Sequence, residues 1–242
     1  MTRGVMRAVV AVLAAVSVVS ASLVTASVAQ AQRTVSFSGY TWKVKAGERR
    51  LGPGPNYFSD SRDNVWVDRR GRLHLRIVRD NGRWTCAEVA NLTHLGYGTY
   101  TWTTQSDLIR LDRHAVLGLF TWSDDPAYAH REIDIEYAQW GNLWPRVHGL
   151  FTVQNGEMPS PYQRSFHFIP ATESVHTFTW RPGRVDFRAT SGGRTVRWST
   201  SGPHVPVPGD ELTAMNLWLM EGRAPLTTQH VIISDFRFTP AR

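Results

Sequence analysis

Cysteine is almost missing from this chain: Cys86 stands alone among 242 residues. No intrachain disulfide is possible, so the core has to hold the fold. A lone thiol of this kind is expected to be a small, buried, apolar group. Helical patterning is lacking too. After residue 31 no window repeats its apolar residues at helical spacing over three turns, which argues against a helix bundle. Internal repeats and low-complexity segments are also missing there. The stretch "ERRLGPGPNYFSDS" (48–61) is followed by neither Gly-Lys-Ser/Thr nor a helix, so its glycines form turns, not a phosphate cradle. The nine histidines contain no H-E-x-x-H and no other paired-ligand spacing, and His148 and His176 read as strand residues. No metal or other cofactor is expected. "SDSRD" and "SDDP" lack EF-hand spacing and read as Asx turns, which leaves structural calcium open. The arginines are scattered between strands without a dense run, which argues against nucleic acid as a partner.

One long apolar run is present, at the N-terminus. Arg3 and Arg7 precede "AVVAVLAAVSVVSASLV" (8–24), and Ala29 and Ala31 then supply an A-x-A cleavage pattern. Residues 1–31 read as a secretory signal peptide cut after Ala31, with an uncleaved membrane anchor as the rival reading. Cleavage would make the protein secreted, with no membrane contact afterwards. No later stretch is apolar enough to span a bilayer. Residues 1–31 hold two arginines and no acid, so the remaining 25 basic and 20 acidic residues leave a net charge of +5. Such a surface suits anionic cell walls or polysaccharides.

Residues 32–242 read as one all-β domain. "NVWVDRRGRLHLRIV" (64–78) is a hairpin about an Arg-Arg-Gly turn. "GTYTWTTQSDLI", "VLGLFTW", "VHGLFTVQ", "SFHFIP", "VHTFTWRPGRVDFRAT", "RTVRWST", "AMNLWLM" and "HVIISDFRF" follow as further strand signals. Pro-rich "SGPHVPVPGD" (201–210) is a loop. About a dozen short strands argue for a two-sheet sandwich. The ten tryptophans suit both a core and a sugar-handling surface, because an indole offers a flat apolar face and one N–H donor.

The sharpest feature is "REIDIEYAQW" (131–140). In a strand, Glu132, Asp134 and Glu136 share one face while Ile133, Ile135 and Tyr137 take the other. An exposed acidic face on an amphipathic strand is the bland explanation. Three like charges in a row raise the pKa of at least one of them, however, and a structural strand gains nothing from that. A site that needs one protonated and one ionised carboxyl does gain. Glycoside hydrolysis needs such a pair.

"EIDIEY" is similar to the active-site strand of glycoside hydrolase family 16, in its bacterial lichenase branch. "CAEVANLTHLGYGTYTW" (86–102), "NVWVDRRGRLHL" and "VHTFTWRPGRVDF" (175–187) resemble further segments of that family, in the family's order. The resemblance implies a concanavalin-like β-jelly-roll sandwich of two antiparallel sheets, with a cleft across one of them. It implies retaining hydrolysis of a β-linked polysaccharide, with Glu132 as nucleophile, Glu136 as acid/base and Asp134 tuning the pair. It also implies substrate contacts from Glu88, Asn56 and Trp180, with core packing the alternative for Trp180. His130, Trp140, Trp144, Trp122 and Tyr97 are candidate sugar contacts, with core packing the alternative for the aromatic ones. There are departures: the lichenase Arg after the C-A-E Glu is Ala90, the Trp before the nucleophile is His130, and the lichenase disulfide cannot form. Mixed-linkage cereal glucan is therefore not the expected substrate. A carbohydrate-binding protein without turnover and a transglycosylase stay open. The expected partner is a polysaccharide and the expected state a monomer.

Overall fold

The computed structural model describes residues 32–143, 149–154, 162–167 and 171–242. The expected signal segment, 1–31, lies outside the described residues. The described chain forms sixteen strands. The first eight are β1 (Thr34–Phe37), β2 (Tyr40–Val44), β3 (Tyr57–Phe58), β4 (Val65–Val67), β5 (Leu73–Asp80), β6 (Arg83–Asn91), β7 (Gly98–Thr104) and β8 (Ala115–Trp122). The others are β9 (Ile133–Ala138), β10 (Gly149–Val153), β11 (Tyr162–Phe166), β12 (Ser174–Arg181), β13 (Arg184–Ser191), β14 (Arg194–Ser201), β15 (Leu212–Leu219) and β16 (Gln229–Pro240).

The front sheet runs β11-β10-β9-β8-β15-β6, with β2 and β1 added beyond β6. The back sheet runs β4-β5-β16-β7-β12-β13-β14. All these pairs are antiparallel, and the β5–β6 hairpin passes from one sheet to the other. This is the expected jelly-roll sandwich. The hairpin at 64–78 is present as β4–β5, with Val65 opposite Leu75.

Period-two alternation builds the core. Ile133, Ile135 and Tyr137 of β9 are fully buried, and they meet a back-sheet layer that includes Trp102, Phe178 and Trp180. Cys86 is buried as expected, and burial pushes its thiol up to about 12.

A polar brace crosses this core. The Tyr137 hydroxyl is hydrogen-bonded to His176 Nδ1 (2.6 Å), and His176 Nε2 to Ser174 Oγ (3.0 Å), which in turn meets Thr104 Oγ1 at 2.7 Å. It ties the catalytic-candidate strand to β12 and β7. Burial pushes the His176 imidazole down to about 3. A histidine whose folded pKa lies below its unfolded value stabilises fully above about 6.5, and that contribution is lost as pH falls toward the folded value. The Tm is therefore expected to fall between about pH 6.5 and pH 4, and His176→Gln should flatten that slope whatever its effect at neutral pH. An unchanged slope in this variant would show that other groups set the acid limit.

Candidate active site

Because β9 alternates, Glu132, Asp134 and Glu136 emerge together on the face away from the core. They line one cleft of about 460 Å³ across the front sheet. Phe120 and Thr152 flank Asp134, and Gly118 and Leu150 flank Glu136. Gly118 is required there: a Cβ would lie 2.6 Å from Asn216 Oδ1. That oxygen accepts the Gly118 N–H (3.1 Å), while Asn216 Nδ2 donates to Glu88 Oε2 (3.2 Å). Lys45 Nζ donates to Glu88 Oε1 (2.8 Å) and to the Gly52 carbonyl (2.7 Å). A continuous polar relay thus runs from Lys45 through Glu88 and Asn216 to the strand beside Glu136.

Six carboxyls and one lysine line the cleft. Burial pushes Glu132 up to about 7. Burial, and then the charge of Glu132, push Glu136 up to about 8. Asp134 is driven well above the usual carboxylate range by burial, then by Glu136 and Glu132. Its buried Oδ1 has no hydrogen-bond partner among the described residues. Burial also raises Glu88, against the opposing pull of Lys45. Burial is the leading cause throughout, and repulsion between neighbouring carboxylates adds to it at Asp134 and Glu136. Near neutral pH the site therefore holds both protonated and ionised carboxyls, and Glu132 and Glu136 titrate as a pair.

The chain enters Glu132 through a strained turn. Tyr128, Ala129, His130 and Arg131 all have positive φ, between 48° and 59°. Each such non-glycine residue costs about 1–2 kcal/mol. The turn is locked at several points. Arg131 Nε donates to the Val207 carbonyl (3.1 Å) and Nη1 to Asp125 Oδ2 (2.9 Å). The Thr121 hydroxyl donates to the Arg131 carbonyl (2.8 Å) and accepts the Ile133 N–H (3.2 Å), bracketing Glu132 from both sides. A Cβ on Gly209 would press directly on the Arg131 guanidinium. Gly209→Ala is therefore expected to destabilise the protein by about 1–3 kcal/mol, seen as a Tm lower by several degrees. An unchanged Tm would show that the guanidinium is free to move aside.

The expected site residues fall into distinct groups. Glu132, Asp134, Glu136, Glu88 and Trp122 line the cleft. His130 does not. It stacks behind Trp122 at 4.4 Å and 5°, anchored by a hydrogen bond from its Nδ1 to the Ser123 carbonyl (2.9 Å). It packs against the indole outside the cleft lining. Trp180 is a correction: its ring is fully buried and its indole N–H donates to the Pro206 carbonyl (3.0 Å), with Tyr97 packed edge-on against it. Asn56 is another correction. Its buried amide donates to the carbonyls of Pro53 and Leu219 (2.8 Å each) and accepts the Cys86 thiol (3.4 Å), so it holds a loop instead of a substrate. Trp140 sits in the turn that closes β9 and is not part of the cleft lining, because positive φ at Trp140 and Gly141 turns the chain toward Arg113. Trp144 lies outside the described residues. Lys45, Phe120, Asn216 and Trp218 line the cleft without having been singled out in the sequence. No group of three or more His, Cys, Asp or Glu suited to a metal occurs among the described residues.

The fold has close counterparts among solved structures. A Bacillus licheniformis beta-glucanase is similar at a TM-score of 0.61 and 17% identity, over 83% of this chain and 92% of that one. A beta-1,3-glucanase from Mycobacterium marinum is similar at 0.63 and 19%, over 82% and 90%. A Mycobacterium tuberculosis protein, described as an immunostimulatory antigen and pseudo beta-1,3-glucanase, is similar at 0.63 and 23%, over 83% and 91%. At these identities the likeness is one of fold. No protein-family model matches the chain. No curated protein matches it either.

Proposed function

We propose that this protein is a secreted, endo-acting glycoside hydrolase that cleaves a β-linked polysaccharide with retention of configuration. The observation that carries the reading is the set of three carboxyls on one face of β9, open to a single cleft. The glucanase names of the structural neighbours support the same class of substrate. Glu132, at the nucleophile's place in the family-like motif, attacks the anomeric carbon as a carboxylate. Glu136, still protonated, gives its proton to the departing glycosidic oxygen, so the sugar–oxygen bond breaks as the sugar–Glu132 ester forms. Glu136, now a carboxylate, then takes a proton from water, whose oxygen displaces Glu132. Asp134, kept protonated, is suited to donate a hydrogen bond within the pair and to limit its charge. Trp122, stiffened by His130, and Trp218 supply flat faces for sugar rings.

The lichenase Arg position is Ala90, which lines the cleft and brings no donor to sugar hydroxyls. A β-glucan or related cell-wall glycan other than lichenan is therefore the proposed substrate. Losing an Arg contact and a Trp stack at about 1–2 kcal/mol each corresponds to about two decades in kcat/KM. The test is incubation with laminarin, lichenan, xyloglucan, agar and carrageenan, followed by assay for new reducing ends. Release from a neutral β-glucan other than lichenan is expected. Products that join onto acceptor sugars would indicate a transglycosylase. Silence on every glycan despite measurable binding would favour a carbohydrate-binding protein, a reading that the pseudo-glucanase among the neighbours keeps open.

A further inference from the structure

The back sheet distributes its charge very differently from the cleft. Residues 174–201, which make β12, β13 and β14, hold five arginines and a single acid, Asp186. That stretch alone accounts for +4 of the net +5 of residues 32–242. Along β13, Val185, Phe187 and Ala189 are buried, and Arg184, Asp186, Arg188 and Thr190 take the outer face. Asp186 is already engaged by Arg181 (2.7 Å) and Arg184 (2.5 Å). Arg188 and Arg197 remain. They are exposed, and they stand directly opposite each other on β13 and β14. Neither has a carboxylate partner among the described residues, and Arg188 meets only the Thr190 hydroxyl at 3.4 Å. Like charges facing across a strand pair, with Cβ atoms about 5 Å apart, destabilise a sheet. The fold gains nothing from this juxtaposition.

The register extends the pair into a row. Arg188 faces Thr177, Thr177 faces Thr101, and Thr101 faces Arg237. Five adjacent strands therefore present Arg197, Arg188, Thr177, Thr101 and Arg237 on one line, about 19 Å long at about 4.8 Å per strand. Arg237 is loosely paired with Asp235 (3.5 Å) and the two threonine hydroxyls meet at 3.4 Å, so the unpaired charge of the row is concentrated at Arg188 and Arg197. We propose that this row docks a linear polyuronate, a glycan with a carboxylate on each sugar. The polymer holds the protein on an acidic polysaccharide while the cleft on the other sheet stays open. A guanidinium matches a carboxylate through two parallel N–H donors. The threonine hydroxyls that lie between Arg188 and Arg237, about 14 Å apart, offer hydrogen bonds to the sugar hydroxyls along the chain. The cleft, lined by six carboxyls and one lysine, repels that same polymer, so surface and cleft take different glycans.

The test is binding of the purified protein to immobilised polygalacturonate, with soluble polyphosphate as competitor, across a salt series from about 50 mM. The wild type is expected to bind, more weakly as salt rises. Arg188→Glu should weaken Kd by about tenfold or more, because it removes one anion contact and captures Arg197 in a cross-strand pair. For the same reason its Tm should rise. Arg69→Glu changes the net charge equally in the exposed β4–β5 turn and should shift Kd by less than about threefold. Four results would overturn the proposal: no binding by the wild type, equal loss in both variants, polyphosphate bound as tightly as polygalacturonate, or a Tm lowered by Arg188→Glu.

Discussion

Replacing Glu132 with glutamine is expected to remove hydrolysis by about three decades or more in kcat, while Tm stays at or above that of the wild type. The amide has nearly the shape of the carboxyl, so the strand and the bracket made by Thr121 are kept. What is lost is the lone pair that forms the sugar ester. Stability does not suffer, because burial drives the Glu132 carboxyl up to about 7 in the folded state. A carboxyl whose folded pKa lies above its unfolded value stabilises the fold only below the unfolded value. That contribution fades as pH rises through the folded one. At neutral pH the wild type is already losing it, and glutamine carries no charge to desolvate. A variant that keeps more than a few per cent of activity, or that melts well below wild type, would contradict the assignment.

Glu136→Ala is the second large effect. Activity on polysaccharide should fall by about two decades or more, since the leaving oxygen no longer receives a proton. An activated aryl glycoside leaves without that help, so its first step should survive, and azide should rescue turnover by entering the space vacated by the carboxyl. The pH profile carries the same information. With Glu132 at about 7 and Glu136 at about 8, the wild type is expected to show a bell with limbs on either side of neutral-to-mildly-alkaline pH, reporting the pair and not either residue alone. The alkaline limb should vanish in Glu136→Ala assayed on the aryl glycoside. Persistence of that limb, or rescue of Glu132→Gln by azide in place of Glu136→Ala, would reverse the roles.

The carboxylate strand was legible because its information is local. Period-two alternation in "EIDIEY" states which side chains share a face, and β9 keeps that register between β8 and β10. The hairpin at 64–78 was legible for a similar reason, since a turn signal sits between two alternating runs. The aromatic assignments failed where tertiary contacts decide. Nothing within "TFTWRPG" distinguishes an indole facing a sugar from one whose N–H finds the Pro206 carbonyl across the sandwich. Asn56 likewise takes its role from Leu219 and Cys86, both remote in sequence. Asn216 and Trp218 were hidden in "AMNLWLM". In β15 the cleft face carries Leu212, Ala214, Asn216 and Trp218, almost as apolar as the core face of Met215, Leu217 and Leu219, so the contrast that marks β9 is faint. The left-handed turn before Glu132 contains no glycine, and sequence rules give no reason to place four positive φ values there. Its cause is the lock around Arg131, which exists only once the loop at 207–210 has folded onto it.

The most direct test of the central claim is the anomeric configuration of the first product, followed by proton NMR during hydrolysis of a β-1,3-glucan or of the best glycan in the panel. A covalent sugar–Glu132 ester formed and broken with two inversions predicts that the β-anomer accumulates first and then mutarotates. Initial release of the α-anomer would mean that water attacks directly, that Glu132 is no nucleophile, and that the account of this cleft is wrong.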